Sequence, residues 1–121
     1  MMLDFEDEDT IALTPDDGVR KKILVSGRSG DLPKKGERVV VHYEGRLSDG
    51  TVFDSSYARD SPFAVNIGIG NVVKGWDIGI MSMELGEEAE LTIESDYGYG
   101  DHGRPPTIPG YATMIFTVEL L

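Results

Sequence analysis

Residues 38–44 alternate in character, with Val39, Val41 and Tyr43 on one face and Val40, His42 and Glu44 on the other. A period of two is that of a strand with one side buried. The same alternation runs from Glu88 to Glu94, with Ala89, Leu91 and Ile93 inward. It returns from Ala112 to Leu121, where Met114, Phe116, Val118 and Leu120 share a face and Ile115, Thr117, Glu119 and Leu121 take the other. Lys21–Ser26, Thr51–Phe53 and Phe63–Ile67 are shorter strand candidates, and Ser48-Asp49-Gly50 before Thr51 is a hairpin turn signal. Thr14-Pro-Asp-Asp-Gly18 is a turn, residues 26–36 form a loop, and Ser55–Ser61 is a polar loop.

One stretch has helical spacing. Over Asn71–Met81, residues Val72, Val73, Trp76, Ile80 and Met81 make an apolar stripe, with Asn71 as the expected N-cap. Gly75 and Gly79 weaken that helix by propensity, so their use there predicts a sheet packed close against them. Residues 96–111, rich in glycine and proline, form a loop too long to be a mere connector. Several antiparallel strands and one short helix on their apolar face make an α+β domain, and no internal repeat is present.

A chain of 121 residues with 40% apolar content suits one core. The net charge of −11 is uneven: seven of the acids and no lysine or arginine lie in residues 1–17. That segment is expected to be a solvated, disordered leader, followed by one domain over 18–121. An acidic chain without clustered lysine and arginine is a poor nucleic-acid binder. No apolar run is long enough to span a membrane, and the N-terminus lacks the features of a secretory signal. With no cysteine, disulfides and thiolate chemistry are excluded, and a cytoplasmic location is expected.

Of the two histidines, His42 falls on the outward face of its strand and His102 in a glycine-rich loop, and a metal site would need more ligands, so no metal or cofactor is expected. Gly68–Gly75 lacks the spacing and the Lys-Ser/Thr ending of a phosphate loop. No nucleophile-elbow pattern occurs. What remains is a set of aromatics, Tyr43, Phe53, Phe63, Trp76, Tyr99 and Phe116, which by type and spacing alone reads as core.

Five segments in fixed order change that reading: Val41-His-Tyr-Glu-Gly-Arg-Leu-Ser-Asp-Gly50, Phe53-Asp-Ser-Ser56, Val72-Val-Lys-Gly-Trp-Asp-Ile-Gly-Ile80, Tyr97-Gly-Tyr-Gly100 and Ile108-Pro109. From about Gly18 to Leu121 the chain closely resembles the FKBP-type peptidyl-prolyl isomerases, the immunophilins that bind tacrolimus and rapamycin. The resemblance implies a five- or six-stranded antiparallel half-barrel wrapped around the helix and leaving an aromatic cavity. It implies that Trp76 floors this cavity, that Tyr43, Phe63 and Phe116 wall it, and that Val72 and Val73 edge it. The Val73 N–H and the Tyr99 hydroxyl would each bind a ligand carbonyl. Phe53 and Asp54 would form the rim, Arg59 would pair with Asp54 or Tyr43, and Ile108 would pack over the mouth. Tyr111 would add an aromatic at the rim.

The implied activity is rotation about X–Pro bonds in peptides and proteins by non-covalent stabilisation of the twisted amide, with macrolide drugs in the same pocket. No exposed apolar stripe is obvious in the sequence, so a monomer is expected. Residues 101–111 depart from many relatives: Asp101-His-Gly-Arg104 is charged or bulky, Gly110 replaces a common proline, and Asn71 stands where a carboxylate is frequent. Pro105-Pro-Thr-Ile-Pro109 is more similar to the loop of the larger, multidomain FKBP co-chaperones. A last strand that ends at Leu121 with no polar tail, together with the acidic leader, suggests the first domain of a longer chain, whose further domains in such relatives dock chaperones.

Overall fold

The computed structural model describes residues 9–121, so most of the acidic leader, residues 1–8, lies outside the described residues. Seven strands are present among them: β1 (Thr10–Ala12), β2 (Val19–Val25), β3 (Arg38–Leu47), β4 (Val52–Ser55), β5 (Phe63–Asn66), β6 (Glu88–Ile93) and β7 (Met114–Leu120). One helix, α1 (Lys74–Met81), and a short 3-10 turn over Ser95–Tyr97 complete the elements. All strand pairs are antiparallel, in the order β1-β2-β6-β7-β3-β4, with β5 also on β3.

β3 organises the sheet. Its full partner on one side is β7, with Val41 opposite Leu120 and Leu47 opposite Met114. Its other side pairs first with β5, Arg38 to Val41, and then with β4, Glu44 to Arg46. The segment between β4 and β5 therefore leaves the sheet and forms a flap beside Tyr43.

The alternation read from the sequence holds. Val39, Val41 and Tyr43 on β3, Ala89, Leu91 and Ile93 on β6, and Met114, Phe116, Val118 and Leu120 on β7 are all buried. They form one concave face, on which Trp76 and Ile80 of α1 pack. The two helix glycines do what their spacing predicts. A Cβ on Gly75 would lie 2.5 Å from Cγ2 of Ile93, and one on Gly79 would lie 2.6 Å from Cδ1 of Leu91.

Three boundaries differ from expectation. β2 begins at Val19, two residues earlier than the apolar run suggests. Thr10–Ala12 is not part of a disordered leader; it pairs with Arg20–Lys22 as an edge strand. The turn that follows is fixed by Thr14 Oγ1 and Asp16 Oδ1, which both accept from the Gly18 N–H at 2.9 and 3.0 Å. The helix starts at Lys74 rather than at Asn71, and its N-cap is Val73, which supplies no side-chain cap. The reason is Asp77, whose carboxylate accepts from the N–H groups of Gly68 and Gly70 at 2.7 and 2.9 Å. That holds residues 68–72 in a series of bends before the helix, with Gly68 and Gly70 at φ 86° and 83°.

An inward lysine escaped the sequence reading. Lys21 on β2 is 4% exposed and Glu87 is 1% exposed. Lys21 Nζ donates to the Ser82 carbonyl at 2.8 Å and lies 3.0 Å from Glu87 Oε2. Glu87 Oε1 in turn accepts from the Glu84 N–H at 2.9 Å. The cation thus sits at the C-terminal end of α1, where the helix dipole favours it.

Candidate active site

The helix does not close the concave face. Beyond its N-terminal end a cavity of about 530 Å³ opens between α1, the ends of β3 and β7, the β4 strand and the 98–113 loop. Trp76, on the first turn of α1, is its floor and is itself almost buried. Tyr43 and Phe116 meet Trp76 edge-to-face, with centroids 5.0 and 5.3 Å away and interplanar angles of 86° and 87°. Phe63 joins at 6.0 Å and 73°. Phe53 stands at 90° to Phe116 with centroids 5.6 Å apart. Such edge-to-face contacts are a favoured geometry for aromatic pairs, and they link the wall rings to one another and to the floor.

Gly45 makes this arrangement possible. It lies opposite both Asp54 of β4 and Phe116 of β7. A Cβ there would lie 2.7 Å from Phe116 and 2.8 Å from Phe53, so any other residue would push the two rings out of the wall.

Polar groups gather at the rim. The Tyr43 hydroxyl donates to Asp54 Oδ2 and accepts from Arg59 Nη2 at 2.9 Å. Arg59 Nη1 also reaches Asp54 Oδ1. Partial burial on its own would raise the Asp54 carboxyl, but the hydrogen bonds from Tyr43 and Arg59 hold it below its ordinary value. Burial, then the hydrogen bond to Asp54, pushes the Tyr43 hydroxyl above its ordinary range. The backbone beneath is fixed by Ser56, fully buried, whose Oγ accepts from the Tyr43 N–H at 2.7 Å and lies 2.7 Å from His42 Nδ1. The sequence reading left Ser56 in a polar loop; nothing in its neighbours marks it as buried.

On the opposite rim, Arg104 and Ile108 exchange backbone hydrogen bonds of 2.7 and 2.9 Å. This folds the loop back and leaves Ile108 4% exposed over the cavity. Arg104 Nη1 donates to the Tyr99 hydroxyl at 3.3 Å, and its guanidinium carbon lies 5.7 Å from the centroid of that ring. The Val73 N–H makes no hydrogen bond among the described residues.

Of the twelve residues singled out from the sequence, ten line this cavity: Tyr43, Phe53, Asp54, Phe63, Val72, Val73, Trp76, Tyr99, Ile108 and Phe116. Arg59 does not line it and acts through Tyr43 and Asp54. Tyr111 is a correction: it is 76% exposed, has a φ of 60° and does not reach the cavity. Its neighbour explains why. Gly110 packs on the Asp101 backbone so closely that a Cβ would lie 2.1 Å from that carbonyl oxygen, and the chain turns Tyr111 outward there. Asn71, Arg104, Pro105 and Thr107 also line the cavity. Three of them sit in the loop whose path no periodicity encodes.

The family model described as FKBP-type peptidyl-prolyl cis-trans isomerase matches residues 30–121. The chain belongs to that family. It is 57% identical over 104 residues to FK506-binding protein 1A of Aspergillus fumigatus, a match that covers 86% of this chain and 93% of that one. It is 51% identical over 104 residues to a peptidyl-prolyl cis-trans isomerase of Schizosaccharomyces pombe, with the same coverage of 86% and 93%. It is also 49% identical over 111 residues to FK506-binding protein 59 of Drosophila melanogaster, covering 92% of this chain but 25% of that protein. The open antiparallel sheet around a single helix is consistent with the FKBP fold, with seven strands among the described residues where five or six are expected. Among the described residues no helix is long and apolar enough to cross a membrane, and no group of three or more potential ligands could hold a metal ion.

Proposed function

We propose that the cavity seats the proline ring of an X–Pro segment on Trp76 and catalyses rotation about the preceding amide without a covalent step. The observation that carries this reading is an unsealed aromatic cavity with two polar groups, the Tyr99 hydroxyl and the Val73 N–H, at its edge. Among the described residues the lining contains no serine, cysteine or histidine, and bond rotation breaks no covalent bond, so it needs no nucleophile.

The chemistry follows from the barrier. A peptide bond resists rotation by about 18–20 kcal/mol because resonance gives its C–N bond double-bond character. That resonance puts negative charge on oxygen and positive charge on nitrogen, and a twisted amide loses the separation. An apolar pocket therefore disfavours the planar amide relative to the twisted one, and differential stabilisation of about 7 kcal/mol corresponds to roughly 10⁵-fold acceleration. In this reading Tyr43, Phe63 and Phe116 exclude water, and Phe53 and Val72 complete the walls. The Val73 N–H and Tyr99 hydroxyl hold carbonyls on either side of the proline. Asp54, kept ionised by Tyr43 and Arg59, orients polar groups at the rim. Ile108 closes the mouth.

FK506 and rapamycin are proposed to occupy the same cavity; for FK506 this is in line with the names of two relatives. The test is isomerisation of a tetrapeptide with leucine before the proline, with and without either macrolide. Catalysis abolished at a one-to-one ratio is expected. Catalysis that persists with drug bound would separate the two sites and overturn the shared-pocket reading. A folded protein with neither activity would overturn the whole assignment.

A further inference from the structure

We infer that Arg104 is a specificity-determining residue that favours X–Pro substrates with a carboxylate side chain next to the proline. The inference rests on the reading of the cavity as the X–Pro site. Two charged residues line that cavity, Asp54 and Arg104. Asp54 is matched by Arg59. Arg104 has no carboxylate within ion-pair distance among the described residues; its recorded side-chain partner is the Tyr99 hydroxyl. The nearest acid in its own loop, Asp101, instead faces His102 at 3.8 Å. On the sequence as a whole the balance is acidic, at −11, yet the rim of the site carries an uncompensated cation.

Geometry places this cation where it meets substrate. Arginine is a donor only, so its contact with Tyr99 uses a lone pair of the hydroxyl oxygen and leaves the hydroxyl proton available for a ligand carbonyl. The remaining guanidinium N–H groups are exposed with the rest of Arg104, and their forked arrangement suits a carboxylate. A backbone carbonyl held by Tyr99 therefore brings the side chain of an adjacent substrate residue within reach of Arg104. The same charge opposes lysine or arginine at that place.

The experiment compares end-blocked tetrapeptides that differ only in carrying Leu, Glu or Lys, placed in turn directly before and directly after the proline. At low ionic strength, kcat/KM for Glu is expected to exceed that for Lys by about three- to fivefold at one of the two places, the scale of an exposed ion pair. Raising the salt to about 1 M, where the screening length is ~3 Å, is expected to shrink the ratio towards one. Arg104→Gln should abolish the preference, Arg104→Lys should keep it, and Arg104→Glu should invert it. A Glu-to-Lys ratio that is the same in Arg104→Gln as in the unaltered protein overturns the inference. So does an absent preference at both places while the Leu peptide is turned over, and in that case the isomerase reading stands. If the folded protein turns over none of the peptides, the isomerase reading falls and this one with it.

Discussion

Asp54 is the residue whose ionisation state matters most to the rim. Its carboxylate receives both the Tyr43 hydroxyl and the Arg59 guanidinium, and its pKa is lowered from the ordinary carboxylate value. A carboxyl that titrates lower in the folded state contributes stability above its unfolded pKa, and loses that contribution as the pH falls through the folded value. The Tyr43–Asp54–Arg59 triangle is therefore complete above about pH 4. Tyr43, shifted upward, stays protonated to high pH. With no acid or base required by the proposed chemistry, kcat/KM is expected to be flat from about pH 5 to 9. A stopped-flow profile with an uncharged peptide checks this, and a bell-shaped curve would reveal a titrating catalytic group. The residues around the cavity that the sequence pointed to are mostly aromatic. Their types alone read as core, and only the order of the motifs set them apart.

At the scale of elements, the helix is short and poor in intrinsic propensity, and its position is set by what it touches. Gly79 illustrates the balance. Replacing it by alanine would raise helix propensity by about 1 kcal/mol, but the new Cβ would lie 2.6 Å from Leu91 Cδ1 and 2.9 Å from Cδ2. Leu91 is 0% exposed and has no room to withdraw. Gly79→Ala is expected to lower stability by about 1–3 kcal/mol, the usual cost of overpacking, as read by denaturant unfolding. A variant as stable as the parent would mean that the sheet yields at Leu91. The start of the helix is likewise set by contacts rather than by propensity. Val72 and Val73 extend the apolar stripe at helical spacing, yet Asp77 binds the preceding glycine N–H groups. A side chain inside the helix thus starts it later than its apolar residues suggest.

At the scale of the whole molecule, β2, the end of α1 and the turn before β6 are tied together by the buried Lys21–Glu87 pair. Removing one partner leaves an uncompensated buried charge. Lys21→Met is expected to destabilise by about 3–5 kcal/mol, whereas Lys21→Met with Glu87→Gln should recover much of the loss. Chemical denaturation of the three proteins checks this; a single variant that loses under 1 kcal/mol would show that water reaches Glu87. From sequence, Lys21 and Lys22 are indistinguishable neighbours. Which of them faces inward depends on the register with β6, where Lys21 lies opposite Leu91.

The sequence by itself determined the α+β class, the strands that build the concave face, the helix and its close packing on the sheet. Those features rest on local periodicity, which repeats within a few residues and survives without knowledge of partners. The resemblance to the FKBP family, carried by the order of the sequence motifs, also marked ten residues that line the cavity, eight of them within the motifs. Tertiary structure alone decided the rest. It turned Tyr111 outward, folded Arg104 onto Tyr99, buried Ser56 beneath Tyr43 and enlisted Thr10–Ala12 as an edge strand. Each of these depends on a contact between residues that no local periodicity pairs. Such contacts follow loop paths and strand register, for which the chain carries no repeating signal.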